Sequence, residues 1–90
     1  MAIRKIGHMV VDWQPASGGT LVLKAELPSS GAVAEVHELE GVFEARVTIP
    51  FLQRKWTSTV EGLKGQPQAQ TAAELLLLKH YSFVNDIIGG

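Results

Sequence analysis

The sequence predicts an α+β fold: an antiparallel sheet of four or five strands covered on one face by a C-terminal α-helix. Three stretches carry the prediction. In Val42 to Phe51 (VFEARVTIPF), Phe43, Ala45, Val47, Ile49 and Phe51 fall on one face, and Glu44, Arg46 and Thr48 on the other. That period of two describes a strand with one buried and one wet face. In Lys55 to Gly62, Trp56, Ser58 and Val60 alternate with Lys55, Thr57, Thr59 and Glu61. The run from Gln66 to Tyr81 (QPQAQTAAELLLLKHY) changes to a helical period. Two amphipathic strands and an amphipathic helix bury their apolar sides by facing one another.

The elements follow in order. Ile6 to Trp13 reads as a strand with Met9, Val11 and Trp13 inward. Gln14 to Gly19 (QPASGG) is a turn by composition. Thr20 to Leu27 alternates with Leu21, Leu23, Ala25 and Leu27 inward, though its Leu, Lys, Ala and Glu also suit a short helix. Pro28 to Gly31 breaks the chain, Ala32 to Leu39 is a third strand, and Glu40-Gly41 makes the next turn. Pro50 suggests an edge or a strand end. Gly62 to Gly65 connects to a helix that starts near Pro67, well suited to a first helical position, and runs to about Asp86.

At about 100° per residue, Ala69, Ala72, Ala73, Leu76, Leu77, His80, Phe83, Val84 and Ile87 form one helical stripe. Its alanines allow close approach to the sheet at the start. Leu75 and Leu78 fall outside the stripe, under a folded-over N-terminal segment, as an interaction surface, or simply exposed as single leucines often are.

Ninety residues make a single domain, 1–90. Residues 1–9 are assigned to a tag or flexible leader, because Gly7-His8-Met9 is compatible with a cloning remnant. Residues 10–31 form a hairpin or short helix, and 32–88 a β-β-β-α core. The apolar fraction of 46% supplies a core and argues against disorder. There is no cysteine, which removes disulfides and thiolate chemistry and fits an intracellular, cytoplasmic setting. No apolar run is long enough to span a membrane, and the short one near the start makes no signal peptide. The net charge of −1 gives no overall basic surplus for nucleic acid, so any such site is a local patch.

Such a patch is present in Arg54, Lys55 and Lys64, with Arg46 on the strand between. Catalytic and metal chemistry is not evident. His8, His37 and His80 are scattered, whereas zinc needs three or four convergent ligands. Glu35, Glu38 and Glu40 read as a solvated face, and no phosphate loop, dinucleotide fingerprint or nucleophile elbow occurs. The expectation is a non-enzymatic chain with no cofactor, metal or small-molecule substrate.

From about Ala32 to Tyr81 the chain resembles the β-β-β-α portion of a double-stranded RNA-binding domain. Glu35 and Glu38, the strand FEARVTIPF, the return strand ending in Gly62 and the helix start AQTAAELL carry the resemblance. The resemblance implies a further helix within Thr20 to Ser30. It also implies RNA contacts from that helix, from a His-bearing loop between the first two strands, and from a lysine-rich helix N-terminus. Here Gln66, Pro67 and Gln70 stand at the lysine positions, and the Glu40-Gly41 turn carries no His, His37 lying in the preceding strand. The resemblance therefore implies protein–protein association or dimerisation, and the residues themselves offer Leu75 and Leu78 or an exposed strand edge for it. Its alternative is RNA binding through Arg54, Lys55, Lys64, Gln66 and Gln70.

Overall fold

The computed structural model describes the backbone of residues 2–6, 9–27, 31–51 and 53–84, and the side chains of 10–27, 31–50 and 53–79. Six strands precede one helix: β1 (Ala2–Ile6), β2 (Met9–Pro15), β3 (Leu21–Leu27), β4 (Ala32–Leu39), β5 (Val42–Phe51), β6 (Arg54–Leu63) and α1 (Gln66–Val84). Each strand pairs antiparallel with the next, so spatial order equals chain order. A meander of this kind needs only short hairpin connections. The α+β arrangement is the one the alternating periods predict. Thr20 to Leu27 resolves to a strand, not a helix. Residues 2–6, where the sequence suggested a tag or leader, form β1 against β2.

The helix lies on one face of the sheet, over β5 with β4 and β6 to either side. The contact is built from small side chains. Ala32, Ala34 and Ala45 on the strands and Ala69 and Ala73 on α1 are all fully buried. With methyl groups on both sides the two layers approach closely, and Val36, Val47, Ile49 and Leu77 fill the wider spaces around them. Val11 and Trp13 of β2 and Ala25 and Leu27 of β3 extend the core beyond the helix. Of the predicted helical stripe, Ala69, Ala73 and Leu77 are buried, while Ala72 and Leu76 pack against the core half-buried. The side chains of His80, Phe83, Val84 and Ile87 lie outside the described residues.

Turn chemistry sets the register. Glu40 and Gly41 both have positive φ (54° and 82°), the two-residue turn whose twist matches a tight hairpin. Two bulges modify the sheet. In β3, Leu21 pairs with His37 but Leu23 pairs with Val36, so Val22 is an extra residue. That insertion moves Leu21 onto the face of His37, away from the inward set of Leu23, Ala25 and Leu27. In β6, the stretch from Val60 to Leu63 spans Ala45 to Phe43, again with one extra residue, and Gly62 takes φ 73° there.

Candidate interaction surface

Alternation leaves one face of the sheet polar. The register aligns His37 with Glu44, Glu35 with Arg46, Lys24 with Glu35 and Thr48 with Thr57. Charges on this face are largely paired within single strands: Arg46 with Glu44 at 3.1 Å and Lys24 with Glu26 at 3.3 Å. The Thr20 hydroxyl lies 2.8 Å from His37 Nδ1, and His37 Nε2 lies 3.1 Å from Glu35 Oε1. A carboxylate oxygen accepts, so the His37 Nε2–H donates to Glu35, and the Thr20 hydroxyl, which can donate or accept, pairs with Nδ1. This chain of hydroxyl, imidazole and carboxylate sits on an open strand face. It ties the bulged end of β3 to β4, reinforced by the Glu38 N–H donating to the Thr20 carbonyl at 2.8 Å. A shallow cleft of about 310 Å³ lies elsewhere, lined by Asp12, Gln14, Pro15, Ala16, Lys24 and Glu26. Its lysine is already engaged by Glu26. Among the described residues no three His, Asp or Glu side chains are grouped to hold a metal.

The apolar face contains a buried polar tie. Glu74 of α1 is 2% exposed and accepts a hydrogen bond from Trp13 Nε1 at 3.0 Å. A buried indole N–H requires an acceptor, and here the helix supplies it. Because Glu74 reaches toward β2, the opposite flank of α1, with Ala72 and Leu76, points toward β6. The sequence signal for Glu74 was available: it follows Ala73 and precedes Leu77 by three, at the margin of the apolar stripe.

The surface left uncovered is β6. Among the described residues it is an edge strand, paired only with β5. Every residue from Gln53 to Thr59 is exposed. Trp56 faces the apolar side, opposite Ile49, as alternation predicts. It is nevertheless 54% exposed, whereas Ile49 is 6% exposed. The inward position that alternation gives Trp56 therefore does not make it a core residue. It stands on the core face of the sheet, on the outermost strand, where it has neighbours on one side only.

The other candidate residues separate. Arg54 and Lys55 open β6, and Lys64 lies beyond its far end. At about 3.3 Å per residue the two basic groups stand roughly 30 Å apart. Lys64 is exposed, and its backbone N–H donates to Gln68 Oε1 at 3.0 Å. Gln66 is exposed in the first turn of α1 and Gln70 is half-buried one turn later. Lys64 and the helix start thus sit together, while Arg54 and Lys55 do not join them. Leu75 is 60% exposed on the back of α1. Leu78 instead packs against the core, so these two leucines do not form one patch.

No helix among the described residues is long and apolar enough to cross a membrane. No protein-family model, curated protein or solved structure matches this chain.

Proposed function

We propose that this chain is a non-enzymatic protein-association module that binds through the free edge of β6. One observation carries the reading. Among the described residues a ten-residue strand lies open along one edge, and its aromatic residue, Trp56, is half-exposed on the face whose positions in β4 and β5 form the core. A strand edge offers a row of unsatisfied N–H and C=O groups, and extended segments add to such rows by main-chain hydrogen bonding. Natural sheets commonly blunt their edges with proline, short strands or inward charges. The centre of β6, Trp56-Thr57-Ser58-Thr59-Val60, has none of these.

The resemblance to double-stranded RNA-binding domains supports the same reading, because Gln66, Pro67 and Gln70 occupy its lysine positions. Duplex binding draws its affinity from phosphate neutralisation. Lys64 is the sole cation within the sequence from Gly62 to Gln70, and Arg54 and Lys55 lie a strand length away.

The test is a titration of isotopically labelled protein with duplex RNA at low salt, followed by backbone amide signals. The reading predicts that signals from Lys64 to Ala69 stay in place. Salt-sensitive shifts there would replace it with the RNA-binding alternative.

A further inference from the structure

We propose that the partner on β6 is a second copy of this chain, paired β6 to β6 about a two-fold axis through Ser58. The inference rests on β6 being the binding edge and adds who binds there. In an antiparallel pair, residues directly opposite share a face. A two-fold axis normal to the sheet keeps both helix-covered faces on one side, which requires that the register be centred on a residue.

Centred on Ser58, Trp56 meets Val60 of the second copy, Thr57 meets Thr59, and Lys55 meets Glu61. Symmetry repeats each pair. An aromatic against a β-branched side chain, threonine against threonine, and opposite charges are the cross-strand pairs that stabilise sheets. Neighbouring registers lose this. Centred on Thr57, Lys55 meets Thr59 and Trp56 meets Ser58; centred on Thr59, Lys55 meets Leu63 and Trp56 meets Gly62. Charge complementarity thus selects one register. The regular span also ends at the last pair of this register, because the extra residue falls at Glu61-Gly62 and, with the positive φ of Gly62, bends the strand there.

The geometry above the junction agrees. In a joined sheet the two α1 helices, each over its own β5, stand three strand spacings apart, about 14 Å. Directly packed helices approach to roughly 8–10 Å. The strip between them is where Trp56, Ser58 and Val60 of both copies rise, flanked by the Ala72 and Leu76 side of each helix. A half-exposed tryptophan suits that strip. The opposite edge, β1, does not offer the same match: it has five residues, and self-pairing centred on Arg4 would set two arginines face to face.

The experiment is a charge-reversal cycle read by sedimentation velocity over a range of concentrations. Wild type is expected to shift from monomer to dimer as concentration rises. Lys55→Glu and Glu61→Lys each place like charges opposite one another twice, and each should weaken the dimer at least about fivefold. The double variant restores opposite charges and leaves the net charge at −1; it should recover dimerisation. Emission from Trp56 should shift to the blue on association, while Trp13, already buried, stays constant. A wild type that stays monomeric at its solubility limit would overturn the proposal. So would single reversals without effect, or a double variant weaker than both singles. The RNA titration fails separately: shifts at Lys64 to Ala69 in a chain that still dimerises would overturn the functional reading and leave the self-pairing intact.

Discussion

Trp13 Nε1 donates a hydrogen bond to Glu74 Oε2 at 3.0 Å, joining β2 to α1 across 61 positions of sequence. The helix covers β4, β5 and β6, so this bond, with the packing around it, ties the helix to the N-terminal half of the sheet. Glu74→Leu leaves the buried indole N–H without this acceptor and should cost about 1–3 kcal/mol. Trp13→Phe combined with Glu74→Leu should cost less than the sum of the two singles, because both polar partners are gone. Urea denaturation of the four proteins measures the coupling.

Leu77 is the largest fully buried side chain among the described residues of the helix. Leu77→Ala should destabilise the fold by about 2–5 kcal/mol, the range for a buried leucine whose neighbours relax only in part. The same denaturation experiment reads it.

The two leucines beside the stripe should behave differently from each other. Leu75 is 60% exposed, so Leu75→Glu should change stability by no more than about 0.5 kcal/mol. Leu78 packs against the core, so Leu78→Glu should lower the melting temperature clearly. Equal effects at the two positions would show that the helix is rotated from the orientation described.

At the β4–β5 turn, Glu40 holds a φ of 54° that a side chain with a Cβ adopts at a cost. Glu40→Asn keeps the turn with a residue that tolerates this region. It should raise stability by roughly 0.3–1 kcal/mol, measured as a higher urea midpoint with an unchanged slope.

Much of the fold was legible because its strands are amphipathic. Alternation in Val42 to Phe51 placed Ala45, Val47 and Ile49 on the buried face, and the helical period did the same for Ala69, Ala73 and Leu77. What escaped has physical causes. The bulge at Val22 adds one residue to β3, and period-two counting cannot register an insertion, so Leu21 came out on the wrong face. The strand β1 is short and carries Arg4 and Lys5, which gave it no alternating signature. The proposed binding surface was half legible. A strand edge was foreseen as one route to association, but alternation reports only which face a residue is on. It says nothing about lateral neighbours, and Trp56 is exposed because β6 is last in the sheet. The split of Arg54 and Lys55 from Lys64 has the same origin. They are close to the ends of one segment in sequence, and an extended strand holds those ends apart.

The most direct measurement is hydrogen exchange at individual amides, in dilute and concentrated protein. In an edge strand, alternate N–H groups point away from the neighbouring strand and have no ladder partner. If β6 is the binding edge, raising the concentration should slow exchange at alternate residues between Lys55 and Glu61 and leave the Lys64 to Ala69 amides unchanged. Exchange along β6 that is independent of concentration in a sample shown to be associated would contradict the account, because association would then proceed through another surface.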